Sequence, residues 1–348
     1  MGVPVTVDVI NVGDPSTRLV SGMVGIDHAV EIQSFAFDNV NNLVYVAQVA
    51  GACSISYDQS TSWKTASGSY PVSASLSMAM ADNEAAGNLA ITQLPMSGAP
   101  PNPPHSMFLL GFGHGVAIGV EPQASQTYIW VECQSQPPAN GDGFGNKVAR
   151  VPFTPGAVFQ ASSSDLELYD PITIQNGYIT GYSCALDTQN GLLALRYTEN
   201  VYNQDPPPDV ISTKYVSAYS WSSTDGPDFS AALATIQQPP VIEATDLDVF
   251  QGWTLYGSWV YMLDWDKSTS PYTIYTTSID INGDDNPNGG GTYHLRTSSS
   301  ADVDADPREP EGMAIYLIPT SPTLCFGITN DTIEYGITFH TLDMYGKV

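Results

Sequence analysis

The residues best equipped for chemistry in this chain are carboxylates, aromatics and one glycine-flanked histidine. In "GFGHGVAIGVEP" (111–122), His114 stands between two glycines and Glu121 follows on the same stretch. The next apolar run, "YIWVEC", carries Trp130 and Glu132. "QGWTLYGSWVYMLDW" brings Trp253, Trp259 and Trp265 close to Asp264 and Asp266, and "DADPREPEG" (304–312) gathers Asp304, Asp306, Glu309 and Glu311 around Arg308. A sugar or polyol site needs this mixture, because rings stack on C–H faces while planar polar groups at the rim read hydroxyls. His114, Glu121, Trp130, Trp253, Asp264, Trp265, Glu309 and Glu311 are therefore the candidate carbohydrate-binding residues. Each also has a plainer reading. The tryptophans sit on alternating runs and suit core packing, His114 suits a hydrogen-bonded structural role, and the 304–312 run suits a solvated turn. Glu309, Glu311, Glu121 and Glu132 could also form an acidic mouth for a cation.

Other chemistries have less behind them. "DINGDDNPNGGG" (280–291) offers Asp280, Asn282 and Asp284 at calcium-loop spacing. It has Asp285 where the loop needs Gly and Gly291 where it needs Glu, so a surface turn is the simpler reading and Ca2+ the alternative. The other histidines, His28, His105, His294 and His340, are too scattered to join His114 in a metal site. No G-x-S-x-G, H-E-x-x-H or Cys–His arrangement occurs, so no catalytic residue is assigned. Carboxylate pairs suited to glycoside hydrolysis are plentiful, but that chemistry depends on a separation that sequence does not give. Cys53, Cys133, Cys184 and Cys325 lie far apart without C-x-x-C spacing, which suits buried thiols, with a disulfide open if the protein works outside cells.

The formal net charge of −26, from 10 Lys plus Arg against 36 Asp plus Glu, disfavours nucleic acid and anionic membrane surfaces as partners. Only 13% of the 348 residues are charged, so the surface must be built largely from uncharged polar groups. That composition suits an extracellular or virion surface. No apolar stretch approaches the ~18 residues of a membrane span, and "MGVPVTVDVINVGDPSTRLV" lacks the character of a secretion signal.

The elements that must position these residues are strands. Apart from weak helical patterns at 75–87 and 228–236, the chain alternates, with Gly, Pro, Asn and Asp as punctuation. One unit recurs: an apolar strand, a tight turn, a second strand, then a third. It is seen in "QSFAFDNVNNLVYVAQV" with "NLAITQLP", and in "VAIGVEPQASQTYIWVEC" with "KVARVPF". It returns in "YSCALDTQNGLLALRYT" with "YVSAYSW", in "GWTLYGSWVYMLDW" with "YTIYTTSID", and in "GMAIYLIPTSPTLCFGIT" with "IEYGITFH". Phe37, Val120, Leu186, Tyr256 and Tyr316 align across the copies at irregular spacing. Small sheets that are apolar on both faces bury them by packing around an axis. The expectation is an all-β, five-bladed β-propeller of three- to four-stranded antiparallel blades over residues 31–348. Residues 1–30 form an N-terminal extension whose strand, within "VPVTVDVINV", closes the ring.

The ordered set "SFAFDNVNNLVYVAQV", "NLAITQLP", "GFGHGVAIGVEP", "YIWVEC", "NKVARVPF", "QGWTLYGSWVYMLDW" and "EPEGMAIYL" resembles a known β-propeller family. It is shared by phage receptor-binding or baseplate proteins and by proteins labelled teichoic-acid biosynthesis protein C, and the likeness is to the actinobacterial and actinophage branch. The bacteriocin helveticin J is similar at greater distance. The resemblance implies a propeller that binds a cell-wall glycopolymer of a Gram-positive host, such as teichoic acid, in several copies on a virion beside other tail proteins. It implies no enzymatic step. The chain departs from the tail-spike pattern in having no evident coiled stem or C-terminal tower. A structural virion protein without a ligand, and an enzyme degrading wall polymer, are the alternatives.

Overall fold

The computed structural model describes residues 5–6, 10–11, 18–23, 32–49, 55–58, 62–65, 68–71, 86–97, 105–135, 143–164, 166–202, 210–240, 242–243, 248–266, 268, 273–282, 293–299, 307–318, 321–330 and 336–342. Among them there is no helix. The helical pattern at 228–236 is instead a turn running into the strand Ala234–Gln237, and most of the 75–87 pattern lies outside the described residues.

The strands form sheets that are meanders in chain order. The first sheet pairs Ile32–Asp38, Leu43–Val49, Leu89–Pro95 and His105–Leu110, with Val158–Gln160 added in parallel at its edge. The second pairs Gly119–Pro122, Thr127–Ser135, Gly145–Pro152 and Glu167–Tyr169. The third pairs Gly177–Asp187, Leu192–Tyr202, Val210–Ser222 and Ala234–Gln237. The fourth pairs Asp248–Tyr256, Trp259–Asp266, Thr273–Asp280 and Tyr293–Ser299. The fifth pairs Pro307–Ile318, Ser321–Asn330 and Gly336–Leu342 with the N-terminal strand Arg18–Met23. A small three-stranded sheet, Ile55–Asp58, Ser62–Thr65 and Gly68–Pro71, is inserted between two strands of the first.

Alternation explains why these sheets assemble as a propeller-like ring of blades. On Thr127–Ser135, the side chains of Ile129, Val131 and Cys133 join a core shared with the first sheet, while Trp130 joins one shared with the third. Trp253 and Met262 pack toward the third sheet, and Tyr261 and Leu263 toward the fifth. Phe35, Phe37 and Val44 of the first sheet meet Ile337 and Phe339 of the fifth, which closes the ring. Each fully buried large side chain of this kind contributes ~1.5–3 kcal/mol of transfer free energy. Among the described side chains, the surfaces that neighbouring sheets turn toward each other are thereby removed from water.

Hairpin turns tie neighbouring sheets together. Asp38 accepts from the backbone N–H groups of Val40 and Asn41 at 3.1 and 2.9 Å, and Asp187 does the same for Gln189 and Asn190 at 3.1 Å each. The second oxygen of each carboxylate then reaches the next sheet, accepting from Thr127 Oγ1 at 3.3 Å and from the Gly257 N–H at 2.7 Å. These aspartates sit at one place in the repeated unit, which explains why "DNVNNL" and "DTQNGL" look alike.

One expectation about closure is corrected. The strand completing the fifth sheet is Arg18–Met23, whereas Val5–Thr6 and Ile10–Asn11, within the expected "VPVTVDVINV", pair in parallel with the edge of the fourth sheet. The chain covers the open edge of one blade before turning back as the antiparallel partner of Gly336–Leu342. Covering an edge and completing a blade are separate tasks, and strand pattern alone does not divide them.

Candidate functional site

The first strand of each sheet faces the axis, and four of these strands carry a bulge. The register shifts between Ile32 and Ser34, between Thr180 and Ser183, between Phe250 and Gly252, and between Glu311 and Met313. A bulge adds an unpaired residue and re-aims its side chain. Gln33 and Gln251 are such residues, and both line a cavity of about 400 Å³ with Glu311, His114, Val116, Phe144, Glu243, Val249 and Phe250. Phe144 is 39% exposed and marks the mouth, while Gln251 and Glu311 are buried in the wall.

His114 and Phe144 enter this wall on two loops held by one carboxylate. Glu132 Oε1 accepts from the N–H groups of His114 and Gly115 at 2.8 and 2.7 Å, and its Oε2 accepts from the Gly145 N–H at 2.6 Å. The rings of His114 and Phe144 lie 5.1 Å apart. Gly113 lies against the carboxylate, and a Cβ there would overlap the Glu132 side chain, so the glycine is required by close approach. Burial outweighs the three N–H bonds and pushes the Glu132 carboxyl up to about 7. Its charge adds to the burial that raises the Cys133 and Cys184 thiols.

The opposite wall is ionic. Glu243, at φ 56°, accepts from Arg196 Nη2 at 3.2 Å, Lys214 Nζ at 2.5 Å and Gln238 Nε2 at 2.9 Å. Burial pushes the Glu243 carboxyl up, but Arg196 and Lys214 pull harder and leave it below the ordinary carboxylate value. The Arg196 guanidinium, lowered by burial to about 10, also lies 3.8 Å above the Phe250 ring. Glu243 is therefore a fixed anion, and Phe250 is held in place from behind.

Of the candidates read from sequence, the structure brings His114 and Glu311 together in this cavity. Asp264 is buried just beyond it, with Oδ2 3.4 Å from the Glu243 backbone nitrogen. Four others are buried and do not line this cavity. Glu121 is 1% exposed and accepts from Trp130 Nε1 at 2.7 Å and from Arg150 Nε and Nη2 at 2.9 and 2.7 Å. It neutralises Arg150 between sheets, and with it Trp130 serves the core. Trp253 donates from Nε1 to Ser183 Oγ at 2.8 Å between the third and fourth sheets, and Trp265 is 3% exposed. Among the described side chains, the expected acidic mouth is represented by Glu311, joined by the unforeseen Glu243. Glu309 falls on the strand Pro307–Ile318, and its side chain lies outside the described residues.

For calcium, Asp280 accepts from the Asn282 N–H at 3.0 Å in a local turn, and Asp284 is outside the described residues. No group of three metal-ligating side chains occurs among the described residues. Cys133, Cys184 and Cys325 are free and buried, and Cys53 is outside the described residues.

Gln33, Val116, Phe144, Glu243, Phe250 and Gln251 were not singled out by sequence. A signal existed for some. Gln33 and Val116 lie four residues before the aligned Phe37 and Val120, and Gln251 and Glu311 five before Tyr256 and Tyr316. The same repeat read one step upstream marks the cavity wall.

No family model matches the sequence, and no curated protein matches it. Among solved structures, the chain is similar to the alpha-L-arabinofuranosidase from Lactobacillus brevis. The identity is 8% and the TM-score 0.44, with 92% of this chain and 93% of that chain covered. At that identity and score the likeness assigns no activity.

Proposed function

We propose that the protein is a carbohydrate-recognising five-bladed β-propeller whose ligand enters the 400 Å³ cavity at one end of the axis. The observation carrying this reading is the lining itself. Two ring faces at His114 and Phe144, two amides at Gln33 and Gln251, and two carboxylates at Glu243 and Glu311 converge on one space. Small-molecule sites combine apolar faces with a few placed polar groups in this way. The phage-tail resemblance gives the proposal its setting: adsorption of a particle to a Gram-positive wall glycopolymer, with weak single sites multiplied by copy number. The test is retention of purified protein on Gram-positive walls before and after removal of teichoic acid, with and without calcium. Retention lost on stripping supports the reading. Equal retention on both, or none on either, overturns the wall-polymer assignment and favours a structural virion role.

A second reading, hydrolysis of the same glycan, is favoured by Glu243 and Glu311 sharing the cavity, since two carboxyls are the machinery of glycoside hydrolysis. New reducing ends released from wall glycan, and lost in E311Q, would establish it. Their absence leaves recognition alone.

A further inference from the structure

We infer that the cavity reads the end of a glycan chain; this rests on the saccharide reading of the site. Gln33, Val116, Gln251 and Glu311 line the cavity near the starts of the axial strands. A few residues further along, Ala36, Ile118, Thr254 and Ala314 line a second space of about 40 Å³. The two spaces are therefore stacked along one axis.

Between them the backbones meet. A Cβ on Gly252 would lie 2.7 Å from Gly312 Cα, and one on Gly312 would lie 2.8 Å from Ser34 Cα. Ser34 Oγ then donates to the Gly115 carbonyl at 2.5 Å. Gly115, Ser34, Gly312 and Gly252 thus draw the axial strands of the second, first, fifth and fourth sheets together, and the space of about 40 Å³ beneath them is too small for a polymer to thread. The space beneath is far below the ~300 Å³ at which small-molecule pockets begin, whereas the upper cavity is within that range. A blind pocket suits a unit with one neighbour, because an interior unit needs two ways out.

Calorimetric titration tests this with defined probes. They are the methyl glycosides of the common hexoses, pentoses, N-acetylhexosamines and glucuronic acid, and linear homo-oligomers of two to six units. The expected result is a sugar whose dimer and hexamer bind within threefold of each other. In F144A, which removes a partly exposed ring, binding should fall at least tenfold while the circular dichroism spectrum is unchanged. A gain above tenfold from dimer to hexamer would overturn the inference. So would retention on whole wall glycan with no short probe bound. Failure on wall glycan as well would instead sink the saccharide reading beneath it.

Discussion

Replacing Glu132 by Gln should remove a measurable pH dependence from the protein's stability. The Glu132 carboxyl is 1% exposed and rises from the ordinary 4.5 to about 7, because burial outweighs its three backbone N–H bonds. A folded-state value above the unfolded one means that the native state holds the proton more tightly. The resulting stability is fully present below pH 4.5 and is lost as pH rises through 7. Between pH 5 and pH 8 the wild type should lose about 2.5 kcal/mol from this group alone. E132Q keeps the shape and has no proton to release. The amide also turns a donor toward the Gly145 N–H, a cost of ~1–3 kcal/mol that does not vary with pH. Taking the difference between the two proteins cancels every other titrating group. Urea unfolding followed by tryptophan fluorescence at steps from pH 5 to pH 8 supplies it. The variant should gain about 2.5 kcal/mol on the wild type across that range. Parallel stability curves would refute the account of Glu132 as a buried carboxylate that titrates near neutrality.

Two further substitutions probe the frame around the site. E121A removes the acceptor shared by Trp130 Nε1 and Arg150, leaves Arg150 with Glu167 alone, and should cost ~1–3 kcal/mol in urea unfolding at neutral pH. G312A combines a left-handed backbone at φ +68° with a Cβ 2.8 Å from the Ser34 main chain. Its stability should fall by at least the ~1–3 kcal/mol of such strain, read as a lower melting temperature, and an unchanged value would show that these strands are not tightly packed.

Much of the strand order was legible because alternation and turn chemistry are local. "YSCALDTQNGLLALRYT" gives Gly177–Asp187 and Leu192–Tyr202 almost directly, since Asp187 and Asn190 hold the turn from within it. The site was harder to read. Gln33 and Gln251 reach the cavity through bulges, and a two-residue period cannot foresee the residue that breaks it. Glu243 lies outside any strand, and its role comes from Arg196 and Lys214 on the third sheet, far away in sequence. Glu121 and Glu132 were misread for a related reason. A carboxylate in an apolar strand signals a buried partner, but the partner of one is an arginine and that of the other is a glycine-rich loop. The glycines of "GFGHG" are thus explained in part by a side chain further along the chain.

In the proposed function, ligand enters at the axial cavity. An alternative location exists on the exposed face of the third sheet, where the rings of Tyr178 and Tyr202, each 44% exposed, stand 5.9 Å apart. The most direct test is titration of one wall-derived glycan fragment against wild type, F144A and the Y178A/Y202A double variant. Binding lost in F144A and kept in the double variant is the predicted result. Binding kept in F144A and lost in the double variant would contradict the claim and move the site to the sheet surface.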